Sequence, residues 1–241
     1  MTFGSLFAGI GGMDLGLERA GLTCRWQVEI DGYARRVLAK HWPNVPKHDD
    51  VRTFPPTEDG WHVDAIVGGF PCQDISNAGR RAGIEGERSG LWSEFARIIR
   101  DLRPRYVVVE NVAALLARGL GDVLGDLAAC GYDAEWDCIP ASVAGAPHRR
   151  DRVWLVAYTG SKPEHRTIFP KDSKELGRIA AVRCPDWKLF KVVSGVSERF
   201  GRWRQMGQPG LVRVDDGIPD VLDRLHACGN AIVPQIAEWL G

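Results

Sequence analysis

One cysteine, one glutamate and two arginines stand in this 241-residue sequence where the neighbouring residues suit chemistry better than packing. Cys72 lies in Gly68-Gly69-Phe70-Pro71-Cys72-Gln73, directly after the apolar run Val63 to Val67. A strand ending in two glycines and a proline would put the thiol on a loop, as a candidate nucleophile. A free thiol of pKa about 8.5 is only slightly ionised at neutral pH, so it needs a basic neighbour or a proton acceptor. Glu110, in Glu110-Asn111-Val112, follows the apolar run Arg105 to Val109. Burial at a strand end would raise its pKa and let it act as an acid near neutrality. Arg150 and Arg152, in Pro147-His148-Arg149-Arg150-Asp151-Arg152, share a face by the strand period of two. Two such forked, permanent cations suit a carboxylate, a phosphate or a base oxygen.

A fourth feature reads as a nucleotide-type cofactor loop. Phe7-Ala8-Gly9-Ile10-Gly11-Gly12 links a first strand to a first helix, and its glycines allow close backbone approach. The third glycine of a dinucleotide fingerprint would fall at position 14, which is Asp14, and this disfavours nicotinamide or flavin. Glu29, 20 residues after Gly9, ends the next strand and is placed to accept hydrogen bonds from ribose hydroxyls.

The elements that must position these residues alternate. Strands are expected at Thr2 to Phe7, Thr23 to Val28, Val63 to Val67, Arg105 to Val109 and Arg152 to Ala157. Between them, helical spacing of apolar residues marks Met13 to Ala20, Asp31 to His41 with Asp31 as N-cap, Leu91 to Leu102, and Leu120 to Cys130 ended by Gly131. Such alternation implies a Rossmann-like, doubly wound α/β fold with a mostly parallel sheet, which binds ligands outside the strands' carboxyl ends. The rhythm stops after Tyr158. Residues 159 to 217 are read as a small separate region, and helical character returns from Val221 to Leu240.

Composition narrows the class. With 44% hydrophobic and 26% charged residues, the chain is that of a globular protein with ample core. No apolar run approaches a bilayer span, and Met1-Thr2-Phe3-Gly4 lacks the basic start of a secretory signal. Six cysteines without a C-x-x-C pair argue against zinc and for a reducing, cytoplasmic setting, so no metal is expected. The 31 basic and 31 acidic residues balance, which excludes a general polycation. Residues 160 to 205, however, hold 11 basic against 5 acidic residues, a local footprint for a polyanion.

Taken in order, Phe7 to Gly12, Glu29, Gly-Phe-Pro-Cys-Gln, Glu-Asn-Val, Arg-Arg-Asp-Arg and Gly229-Asn230-Ala231-Ile232-Val233-Pro234 resemble the DNA (cytosine-5) methyltransferases of bacteria and phages. The resemblance covers residues 2 to 158 and about 213 to 240. It implies methyl transfer from S-adenosylmethionine, with S-adenosylhomocysteine as product, to carbon 5 of a cytosine flipped out of duplex DNA. By the same resemblance Phe7, Gly9, Gly11, Glu29, Asp50, Pro71, Leu91 and Asn230 would form the cofactor pocket, Glu29 holding the ribose and Asp50 the adenine amino group. Cys72 would add to carbon 6, protonated Glu110 would bond to ring nitrogen 3, Arg152 would hold the base O2, and Arg150 or Arg152 would supply positive charge.

Gln73, Ser76, Arg80, Arg81 and Arg88, in a basic loop able to close over a polyanion, and Arg202 and Arg204 beside Trp203 are the expected DNA contacts. The expected assembly is a monomer acting on double-stranded DNA in the cytoplasm of a bacterium or an infected cell, with a restriction endonuclease as a separately acting partner. The interval between Arg152 and Gly229 is short for the family's recognition region, and His148 stands where Gln is common. Three rival readings are disfavoured, the first of them a generic Rossmann oxidoreductase, because of Asp14 and the Pro71-Cys72 loop. A tRNA cytosine-5 methyltransferase is disfavoured because no Cys-Phe-Thr follows Glu110-Asn111-Val112; a silent DNA-binding regulator is disfavoured because the catalytic set is intact.

Overall fold

The computed structural model describes residues 1–57, 60–71, 90–144, 150–160, 169 and 232–241. Seven strands form one sheet in the order β3-β2-β1-β4-β5-β7-β6. They are β1 (Thr2–Leu6), β2 (Thr23–Val28), β3 (Lys47–His48), β4 (Ala65–Gly68), β5 (Tyr106–Val112), β6 (Asp133–Pro140) and β7 (Asp151–Tyr158). β1 to β5 pair in parallel, whereas β7 runs antiparallel between β5 and β6. The helices are α1 (Gly12–Arg19), α2 (Gly32–His41), α3 (Leu91–Leu102), α4 (Leu115–Arg118), α5 (Leu120–Ala129) and α6 (Pro234–Leu240). This is the doubly wound, mostly parallel architecture that the alternating pattern implies.

Each face of the sheet has its own core. On one face α3 presents Trp92, Phe95, Ala96, Ile98, Ile99 and Leu102, an apolar stripe at helical spacing, and these pack with α5 residues against Ile66, Val107 and Val109. On the other face Met13 and Leu17 of α1 and Ile236 and Ala237 of α6 cover Phe3, Val67, Val108 and Trp154. Burying one such large apolar side chain contributes roughly 1.5–3 kcal/mol, so these stripes hold the helices on the sheet. The α1 and α6 backbones meet closely at Gly16, where a Cβ would stand 2.1 Å from the Pro234 carbonyl oxygen. Any side chain there would push α6 away.

Local signals set the helix ends. The Asp31 carboxylate accepts from the Ala34 N–H at 2.7 Å and caps α2, as expected from the sequence. Gly131, at φ 84°, follows the end of α5, again as expected.

Three features differ from the sequence reading. β6 and β3 were not anticipated: β3 is only two residues long, and β6 does alternate Asp133, Glu135 and Asp137 with Ala134, Trp136 and Cys138, a period-of-two signal that the sequence reading passed over. β5 runs on to Val112, so Glu110 sits inside the strand rather than beyond it. Arg150 precedes β7 with φ 35°, so the period of two that would align it with Arg152 does not apply. Among the described residues no helix is long and apolar enough to cross a membrane.

Candidate active site

Parallel pairing brings the strand ends to one edge. Leu6 is level with Val28 and Gly68, and Gly68 with Val109, so Phe7, Glu29, Gly69 and Glu110 come next on that edge. Four segments far apart in sequence thus meet where a doubly wound sheet binds its ligand.

The β1–β2 side forms a cradle. Phe7 and Gly9 both have φ 54° and Gly11 has φ 83°, left-handed conformations that turn the chain sharply into α1. Phe7 carries a side chain in that region and is therefore strained, the kind of outlier that concentrates at binding sites. Its ring stacks on Phe95 with centroids 6.3 Å apart. The Gly9 N–H donates to Glu29 Oε2 at 2.7 Å and the Asp31 N–H donates to Glu29 Oε1 at 2.8 Å. Burial pushes the Glu29 carboxyl above the usual carboxylate range, and the two backbone N–H groups pull it back down. Among the described residues no atom lies within 4 Å of where a Gly9 Cβ would stand, so they leave space open beside this carboxylate.

Asp50 lies in the next turn. Its carboxylate accepts from Arg52 Nε and Nη2 at 2.6–3.0 Å, and these bonds hold its pKa below the usual range. Behind the cradle Asp14 is fully buried and accepts from Ser5 Oγ at 3.0 Å, Gln27 Nε2 at 2.8 Å and Cys24 Sγ at 3.6 Å. Residue 14 therefore ties β1, β2 and α1 together where a dinucleotide fold would have a glycine. Burial raises the Asp14 pKa against the effect of these bonds.

The β4–β5–β7 side carries the charges. Glu110 is 9% exposed, and its Oε1 accepts from Arg152 Nε at 2.9 Å. Burial pushes its pKa up to about 6, and the positive charges of Arg152 and Arg150 limit the rise. A Cβ at Gly69 would stand 2.8 Å from Glu110 Oε2, so a side chain there would displace the carboxylate. Glu110, Arg150, Arg152 and Trp154 line one cavity with Ile232 and Val233. The Trp154 indole N–H in this cavity has no hydrogen-bond partner among the described residues. Arg150 reaches the cavity by its strained turn, and its carbonyl accepts from the Ala141 N–H at 3.2 Å.

Comparison with known proteins identifies the family. The family model described as C-5 cytosine-specific DNA methylase matches residues 1–190. The chain belongs to that family. It is 36% identical to the Type II methyltransferase M2.BsuMI of Bacillus subtilis strain 168, over 95% of this chain and 56% of that protein. It is 29% identical to the Type II methyltransferase M.BsuFI of Bacillus subtilis, over 92% of this chain and 53% of that one. The crystal structure of the S. pombe Dnmt2 methyltransferase shares the fold, with TM-score 0.58 and 22% identity over 68% of this chain and 52% of that one. The chain spans about half the length of these curated relatives.

In this C-5 methylase the structure brings Phe7, Gly9, Gly11 and Glu29 together in the cradle, and Glu110, Arg150 and Arg152 in the cavity. Leu91 begins α3 and packs against its core, and Pro71 follows the buried Phe70. Cys72, Gln73, Ser76, Arg80, Arg81, Arg88, Arg202, Arg204 and Asn230 lie outside the described residues.

Sequence reasoning gave Asn111 no role. Its side chain, 3% exposed, donates to the Phe70 carbonyl at 3.2 Å and accepts from the Val112 N–H at 2.7 Å. It thereby fixes the strand end from which the Cys72 segment departs. The available signal was a polar amide inside an otherwise apolar strand, which must find a partner when buried.

Proposed function

We propose that this C-5 methylase transfers a methyl group from S-adenosylmethionine to carbon 5 of cytosine in double-stranded DNA, with the target base flipped out of the duplex. One observation carries the reading: a buried glutamate of pKa about 6, paired with an arginine, stands level with the glycine-loop cradle on the strands' carboxyl edge. The cradle fits the cofactor. Glu29 offers acceptor lone pairs to ribose hydroxyls, the space beside Gly9 admits the ligand, and Asp50 would accept from the adenine amino group once Arg52 releases it. Phe7, Gly11, Pro71, Leu91 and Asn230 would complete the enclosure.

When bound, S-adenosylmethionine supplies the methyl group as an electrophilic sulfonium. The protein's own residues prepare the base. The Cys72 thiolate adds to carbon 6, and the electron pair displaced onto ring nitrogen 3 is neutralised by the Glu110 proton, so carbon 5 becomes enamine-like. Arg152 holds both Glu110 and the base O2, and Arg150 adds positive charge near the reacting ring. Once carbon 5 carries the methyl group, departure of its proton to water re-forms the carbon 5–carbon 6 double bond and expels Cys72 as the thiolate, and the proton on ring nitrogen 3 returns to the Glu110 carboxylate.

Residues 1–158 with 218–241 would form the catalytic unit, and 159–217 the recognition region, whose basic excess suits phosphate contacts. A monomer in the cytoplasm, with any restriction endonuclease acting separately, completes the reading.

Incubation of the chain with labelled S-adenosylmethionine and duplex DNA tests it. Label is expected at cytosine carbon 5, and Cys72→Ala should abolish transfer while leaving cofactor binding intact. Label that survives Cys72→Ala would overturn the covalent route. Bisulfite sequencing of DNA from an expressing host identifies the target sequence.

A further inference from the structure

Arg97 is used by no step above, yet it makes the longest-range set of side-chain bonds beside the cofactor cradle. It lies on the second turn of α3, and its Nη2 donates to the Val51 carbonyl at 3.0 Å. Both Nη1 and Nη2 reach the Phe54 carbonyl at 3.4 Å. The same guanidinium is aimed by two carboxylates of its own helix, Glu94 at 2.7 Å and Asp101 at 3.8 Å. Val51 and Phe54 are the two ends of the turn that begins at Asp50. The turn's other bonds are local: Thr53 N–H to Asp50 O at 3.1 Å, Phe54 N–H to Val51 O at 3.4 Å, Thr53 Oγ1 to Asp50 O at 3.2 Å and Arg52 N–H to Asp50 Oδ1 at 2.9 Å, with His48 Nε2 3.0 Å from Thr53 Oγ1.

We propose that Arg97 is a positioning residue for the adenine end of the cofactor site: by clamping the Val51 and Phe54 carbonyls it sets where Asp50 stands. The inference rests on the proposal that Asp50 receives the adenine amino group. The geometry supports a specific job rather than general packing. A planar fork with several N–H donors can hold two carbonyls at once, which an ammonium on a flexible stem cannot do equally well. Phe54 itself is 2% exposed and packs on Trp26 with ring centroids 4.8 Å apart, so the far end of the turn is already anchored. At the other end Val51 is buried too, at 5% exposure in the same core, but Asp50 itself is partly exposed and its carboxylate is ion-paired, among the described residues, to its near neighbour Arg52. Arg97 adds a polar tie to both carbonyls of the turn from α3, the helix that begins with Leu91, and so fixes the main chain that carries the Asp50 carboxylate.

Calorimetric binding of S-adenosylhomocysteine to the full chain, with melting temperature recorded in parallel, provides the test. Arg97→Ala should weaken binding by about 10-fold, as expected for loss of charged hydrogen bonds, and Arg97→Lys should recover part of that loss. Arg103 serves as the control, because it leaves the C-terminal end of the same helix and donates to the Cys130 carbonyl at 3.0 Å, on another element. Arg103→Ala should lower the melting temperature but leave affinity within about 2-fold. A double-mutant cycle decides the mechanism: in an Asp50→Ala background, Arg97→Ala should cause little further loss. Additive losses, unchanged affinity in Arg97→Ala, or an equal loss in Arg103→Ala would each overturn the inference. If Asp50→Ala weakens binding and Arg97→Ala does not, the inference alone falls. If Asp50→Ala has no effect, or the parent chain does not bind, the cofactor reading falls and the inference with it.

Discussion

On the β1–β2 side of the active edge, Glu29 is gripped by two backbone N–H groups, whereas on the β5–β7 side Glu110 is gripped by the side chain of Arg152. Burial raises the pKa of both. The grips differ in what they allow. Backbone donors are fixed by the fold and leave a carboxylate's remaining lone pairs aimed at a ligand. An arginine can turn toward a substrate oxygen, and its charge sets how readily the glutamate releases a proton. In the proposed reaction this suits a group that only binds being held by the main chain, and a group that exchanges a proton being held by a partner that can be shared.

The sharpest way to break the contrast is to remove each anchor. Glu110→Gln is expected to lower methyl transfer by a factor of about 10 or more, the usual effect of losing a positioned acid. Steady-state rates with duplex DNA measure it, and a near-normal rate would remove Glu110 from the chemistry. Asp14→Ala, which strips the anchor behind the cradle, should destabilise the chain by about 3 kcal/mol because Ser5, Gln27 and Cys24 lose their shared acceptor. Urea unfolding reads this, and cofactor affinity should fall with it.

The next effect is smaller and depends on pH. The folded-state pKa of Glu110 lies above its unfolded value, so its contribution to stability is fully present below about 4.5 and is lost as pH rises through about 6. Relative to Glu110→Gln, the parent chain should therefore lose about 2 kcal/mol of stability between pH 4.5 and 7, a shift of about 1.5 units multiplied by 1.36 kcal/mol per unit. A parallel pH dependence in both proteins would show that Glu110 titrates as an exposed group. Asp31→Ala should have the smallest effect, about 1 kcal/mol from the lost cap of α2, with no change in methyl transfer at saturating cofactor.

How much of this could be read in the chain depended on what each residue leaves in the local pattern. The glycine loop, Glu29 and the Glu110 segment were legible because each follows an apolar run, and the structure places all three on one edge, although β5 runs on through Glu110. The Asp31 cap was legible because capping is a local interaction. The role of Asp14 was not: its partners Ser5, Cys24 and Gln27 lie on two strands, and only parallel pairing of β1 with β2 assembles them. The same is true of Asn111 and Arg97, whose bonds reach 41 to 46 residues along the chain. The sequence pattern puts Arg150 on a strand face with Arg152; Arg150 lines the same cavity, but it precedes β7 at φ 35°, so strand alternation does not bring it there.

The seam between α1 and α6 has a consequence for how the molecule comes into being. Gly16 and Ala237 touch although they are about 220 residues apart in sequence. During synthesis, α1 and the back of the cofactor loop leave the ribosome long before the helix that covers them, and contacts of such long range form slowly. Until that helix arrives, Met13 and Leu17 lack their apolar cover, so a nascent chain halted before residue 232 should be a better chaperone client than the finished one.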